Sequence, residues 1–119
     1  MVEGDNIVLI EDDEDKAVLI ISILRKHLDA NIHHFDDGQA AMDFLFSDEG
    51  KSIRLVLLDL ILPKVDGIEI LKRIKADPCR SQIPVIILTT SSQTQNYVES
   101  LGLQPDGYIH KPNQLRHCA

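Results

Sequence analysis

The chain has 119 residues, with 19 Asp plus Glu against 12 Lys plus Arg and a formal net charge of −7, the size of one ordinary domain and too small for two. An acidic balance repels phosphate backbones and anionic headgroups, which argues against nucleic acid and membrane surfaces as partners, and no apolar run reaches the ~18 residues of a membrane span. The start, MVEGDN, has neither the basic region nor the apolar stretch of a signal peptide, so the expected location is the cytoplasm and the expected partners are proteins or cations.

Apolar runs alternate with amphipathic segments along the chain. Residues 6–10 (NIVLI) read as a short buried strand, and 16–28 as a helix with Val18, Ile21, Leu24, Arg25 and Leu28 at helical spacing. Residues 31–35 (NIHHF) form a weaker strand ended by Asp36-Asp37-Gly38, and 39–46 a second helix carrying Ala40, Ala41, Phe44 and Leu45. Residues 54–58 (RLVLL) are too continuously apolar for one face of an antiparallel sheet. An amphipathic helix over 68–75 is stopped by Pro78; a third buried strand covers 83–88 (IPVIIL), a polar helix 93–101, and a final strand 107–110 (GYIH). Strand then helix, repeated in this way, demands right-handed crossovers and a mostly parallel sheet covered on both faces: an α/β doubly wound domain over 1–119. A core of this size needs no disulfide, so Cys79 and Cys118 are dispensable to the fold, and with the five histidines they show no zinc-type spacing. Gly38, Gly67 and Gly107 each follow Asp and read as turn residues.

In such sheets ligands gather beyond the carboxyl ends of the strands. The first strand runs into Glu11-Asp12-Asp13-Glu14-Asp15, the third into Asp59, the fourth into Thr89-Thr90-Ser91-Ser92 and the fifth into Lys111-Pro112. Taken singly, each has a plain reading: a helix cap, a turn residue, a solvated lysine. The topology makes them neighbours. Carboxylates of Glu11, Asp12 and Asp59 sharing one pocket would repel, so either some take up a proton or a divalent cation neutralises them, and oxygen-only ligands favour Mg2+. That cation suggests phosphoryl chemistry, in which Asp59 attacks phosphorus, Lys111 offsets charge on the transferring oxygens, and Thr89 donates to another oxygen.

Across residues 6–112, VLIEDDED, LVLLDLILPKVDG, IPVIILTTSS and DGYIHKP resemble the receiver domain of two-component response regulators. The resemblance implies a five-stranded sheet in the order 2-1-3-4-5. It also implies Asp12 as direct Mg2+ ligand with Glu11 acting through water, and the Ile61 carbonyl as a further ligand. Asp59 becomes the phosphoacceptor and a metal ligand, Thr89 the switch hydroxyl, Lys111 the ammonium on the phosphoryl group, and Tyr108 the aromatic whose rotamer follows Thr89. The Lys111-Pro112 bond is expected to be cis. DFLF, LPKVDGIEIL, KADP and LTTSS are similar to stand-alone receivers paired with phytochrome-type sensor kinases. The implied function is a switch phosphorylated by a sensor histidine kinase, with output by phosphorelay or contact with a downstream protein and catalysis limited to its own phosphorylation and dephosphorylation.

Three other readings fit the residues less well. A flavodoxin-type carrier would have its phosphate expelled by the acidic first loop. A phosphatase of the haloacid dehalogenase type would carry Asp where Ile61 stands. A degenerate receiver serving as a phosphorylation-independent adaptor would not need Asp12, Asp59, Thr89 and Lys111 together. The chain departs from the receiver pattern after Lys111-Pro112, where 113–119 (NQLRHCA) leave about two helical turns at most. A short or missing fifth helix would uncover apolar residues of the third, fourth and fifth strands, and from this follows the expectation of a homodimer, a partner helix on that face, or a truncated and marginally stable chain.

Overall fold

The computed structural model describes residues 5–60, 66–89, 92–103 and 105–110. The elements run β1 Asp5–Ile10, α1 Glu14–His27, β2 Ala30–Phe35, α2 Gly38–Leu45, a 3-10 turn Asp48–Ser52, β3 Ile53–Asp59, α3 Gly67–Ala76, β4 Val85–Thr89, α4 Ser92–Ser100 and β5 Gly107–His110. The strands form one sheet in the order β2-β1-β3-β4-β5, every described pair parallel. This is the doubly wound α/β architecture and the strand order expected from the sequence. The fifth helix, Cys118 and the Lys111-Pro112 bond lie outside the described residues.

Strand alternation divides the core in two. Val8, Ile10, Val56, Leu58, Val85 and Ile87 point to one face, where Ala41, Leu45, Ile70, Leu71, Ile74 and Val98 from α2, α3 and α4 cover them. Leu9, Leu57 and Leu88 point to the other, against Ala17 with Ile20, Ile21 and Leu24 of α1. On that side Leu55 and Ile86 are half-buried and Ile109 is exposed.

On α1, Ile21 and Leu24 pack toward the sheet as expected, while the ends of the expected stripe and the exposed Arg25 depart from it. Val18 is 58% exposed, and the small Ala17 takes the contact with the sheet. Leu28 lies past the helix end as its C-cap. Two of the three Asp-Gly pairs are helix starts and not free turns. Asp37 caps α2 by accepting from Ala40 N–H at 2.8 Å, and Asp66 caps α3 by accepting from Ile68 N–H at 3.0 Å. Each side chain satisfies a first-turn amide that has no intrahelical partner.

At the amino-terminal edge of the sheet, two polar fasteners tie the connections down. Arg80 is 5% exposed. Its Nε donates to the Leu45 carbonyl, one terminal nitrogen to Ser47 O at 2.7 Å and the other to Asp77 Oδ2 at 3.0 Å, while its guanidinium carbon lies 4.9 Å from the Phe46 ring centroid. Asp106 accepts from Lys75 Nζ at 2.9 Å and from Val85 N–H at 2.8 Å, joining α3, the start of β4 and the approach to β5. Partial burial alone would push the Asp106 carboxyl up; the hydrogen bonds from Lys75 and Val85 and the Lys75 charge outweigh it and hold it below the ordinary 3.8. A carboxyl held low in the folded state adds stability above its unfolded value and loses it as pH falls through the folded one. Asp106→Asn is therefore expected to flatten the acid limb of stability below about pH 4, checked by thermal melts against pH. A wild-type acid limb in the variant would assign that limb to other carboxylates.

Candidate functional site

The carboxyl edge of the sheet is built by register. Ile10 lies opposite Phe35 on β2 and Leu58 on β3, so the residues that follow, Glu11 and Asp59, leave adjacent strands side by side. Asp59 lies opposite Leu88, and Thr89 opposite His110, which brings the ends of β4 and β5 to the same edge.

Glu11 is fully buried, at 0% exposed, and Asp59 is at 5%, whereas Asp12 is open to solvent. One ligand oxygen from each of the three carboxylates lies within 4.8 Å of the others. The Glu11 main chain is tied to β2, its N–H donating to Phe35 O at 3.0 Å and its carbonyl accepting from His34 Nε2 at 2.8 Å. Its carboxylate accepts from Asp13 N–H at 3.1 Å. Asp13 in turn caps α1, accepting from Asp15 and Lys16 N–H at 3.0 and 3.2 Å, so the acidic run serves as helix cap and site wall together.

Gly67 supports the same edge from α3. Its N–H donates to Leu60 O at 3.2 Å, and a Cβ there would stand 2.5 Å from Leu60 Cα and 2.7 Å from Asp59 O. Only glycine lets α3 begin against the end of β3.

Tyr108 packs on the larger core cluster, and its hydroxyl is buried with no hydrogen-bond partner among the described residues. Burial, then the nearby Glu99 charge, raises the phenol above its ordinary 10.0. A cavity of about 290 Å³ opens beside the ring, lined by Glu99, Gly102, Leu103, Pro105 and Tyr108.

Of the residues singled out from sequence, the structure brings together Glu11, Asp12 and Asp59. It puts Thr89 at the end of β4 and Tyr108 in β5 opposite Ile87. Ile61 and Lys111 lie outside the described residues. The donor set fits a hard divalent cation: oxygens only, three carboxylates, two of them shielded from water and one open on the solvent side. Sequence reasoning passed over His34 and misread Gly67. The Glu11 contact of His34 depends on strand register, and the need for glycine at 67 depends on how closely α3 approaches β3.

The family described as the response regulator receiver domain matches residues 7–118. The probable methanogenesis regulatory protein FilR2 of Methanothrix harundinacea is 40% identical over 110 residues, covering 89% of this chain and 71% of that protein. Response regulator Rcp1 of Synechocystis sp. is 36% identical over 115 residues, covering 92% of this chain and 78% of its own. The Mn2+-bound structure of Rcp1 aligns with a TM-score of 0.81 over 95% of this chain and 85% of that one, at 36% identity. The bacteriophytochrome response regulator AtBRR aligns with a TM-score of 0.85 over 93% and 84%, at 35% identity.

Proposed function

The chain belongs to the response regulator receiver domain family, and on that footing we propose that Asp59 is its phosphoacceptor and that Glu11 and Asp12 hold the Mg2+ that the transfer requires. Receiver domains are signalling switches that take a phosphoryl group from a sensor histidine kinase onto an aspartate. The observation that carries the assignment is the gathering of Glu11, Asp12 and Asp59 within 4.8 Å at one strand edge.

An Asp59 carboxylate oxygen attacks the phosphorus of the donor phosphohistidine. The new O–P bond forms as the P–N bond breaks, and the pair returns to the imidazole nitrogen. Asp12, Asp59 and the Ile61 carbonyl would hold the cation directly, with Glu11 acting through water. When bound, Mg2+ neutralises the clustered carboxylates and the phosphoryl oxygens so that two anions can meet. Lys111, the residue after His110, pairs with the phosphoryl group, and Thr89 donates its hydroxyl to it. Thr89 and Tyr108 together carry the change to the surface of α4 and β5, biasing a two-state equilibrium.

A phosphorylation-independent adaptor is the weaker reading, since partner contact alone gives no reason to bury two carboxylates beside a third. The likeness to AtBRR supports a phytochrome-type kinase as the phosphodonor.

Labelling by acetyl phosphate is the test. Wild type is expected to label in Mg2+ and not in a chelator, and Asp12→Ala to bind Mg2+ far more weakly and label slowly. An unchanged Mg2+ titration in Asp12→Ala would move the metal elsewhere.

A further inference from the structure

β2 carries two adjacent histidines, and strand alternation sends them to opposite faces. His33 faces α2, its ring stacked on Phe44 with centroids 4.9 Å apart and its Nε2 3.3 Å from Asn6 Oδ1. His34 faces the other way and reaches the Glu11 carbonyl oxygen at 2.8 Å through Nε2. A carbonyl only accepts, so Nε2 carries the hydrogen.

Glu11 is the first residue beyond β1. Its N–H donates to β2 backbone, to Phe35 O at 3.0 Å, but its carbonyl is held by a side chain. That backbone unit sets the directions in which the Glu11 and Asp12 carboxylates leave the chain. A contact made by a side chain can be removed by substitution, whereas a ladder bond cannot.

We infer that His34 is a positioning residue for the cation site, fixing the Glu11 peptide so that the acidic pair meets Asp59 in ligating geometry. The inference rests on the reading of Glu11 and Asp12 as the residues that hold Mg2+. His34 acts on the direct ligand Asp12 through the peptide that joins it to Glu11, and removing a hydrogen bond that orients a metal's ligands typically costs tenfold or more in affinity.

The experiment is isothermal titration of the whole chain with Mg2+, with no phosphodonor present and thermal melts in chelator alongside. His34→Leu is expected to bind Mg2+ about tenfold more weakly than wild type. His34→Asn, polar but too short to reach the carbonyl, should behave alike and serves if the leucine variant does not fold. His34→Gln, whose side-chain amide can donate at similar reach, should recover most of the loss. His33→Leu is the control on the opposite face of the same strand, expected to lower the melting temperature and leave Mg2+ affinity unchanged. Wild-type affinity in His34→Leu or His34→Asn, or an equal loss in His33→Leu, would overturn the inference and leave the acidic-site reading standing. A wild-type chain that binds no Mg2+ would overturn both.

Discussion

Asp59→Asn is expected to reduce labelling by acetyl phosphate or a kinase to background while the fold is retained. The substitution keeps the shape of a side chain that is 5% exposed at the end of a central strand flanked by β1 and β4, and an amide is not a nucleophile toward phosphorus. The same change removes one of three carboxylates from the candidate cation site. A ligand that binds only the native state stabilises it by about 2.7 kcal/mol at a hundred times its dissociation constant. Wild type should gain that much from saturating Mg2+ in a melt, and Asp59→Asn far less at the same concentration. Label taken up by the variant at the wild-type rate would place the phosphoacceptor on another residue.

Arg80→Met is expected to cost about 3 kcal/mol of stability, since the acceptors served by a guanidinium that is itself buried lose hydrogen bonds from a charged donor, worth about 1.5–3 kcal/mol each. Methionine fills much of the volume but donates nothing. The carbonyls of Leu45 and Ser47 and the carboxylate of Asp77 would each lose a donor, and Phe46 would lose the cation over its ring. For a domain whose whole stability is of the order of 5–15 kcal/mol, that is a large share. Arg80→Lys keeps the charge without the fork of donors and should fall between the two. Denaturant unfolding checks this, with the midpoint falling at unchanged slope. A midpoint within experimental scatter of wild type would mean that the connections at this edge hold without the guanidinium.

Most of the fold is legible because a parallel sheet covered on both faces writes itself as short continuous apolar runs. Those runs bounded all five strands to within two residues at either end. The helix face of α1 was less legible because alanine carries little hydropathy: Val18 drew the stripe toward itself, while Ala17 is the residue small enough to lie against the sheet. The 3-10 turn Asp48–Ser52 sits in polar sequence with no period to betray it. Arg80 illustrates a different difficulty, since a lone arginine between helix and strand reads as solvated until three acceptors from two separate segments are seen around it. The acidic cluster was legible because topology alone brings strand ends together. His34 was not, because its partner is a peptide oxygen, which any sequence would supply.

The fasteners and the chemistry occupy opposite rims of the sheet. Arg80, Lys75 and Asp106 grip the edge where the strands begin, and Glu11, Asp12 and Asp59 stand where they end, separated by the length of a strand, roughly 17–20 Å. Substitutions that far apart and without shared neighbours combine additively. Thermal robustness and signalling kinetics can therefore drift as independent traits, and a lineage or an engineer can harden one rim for a hotter habitat without retuning the other.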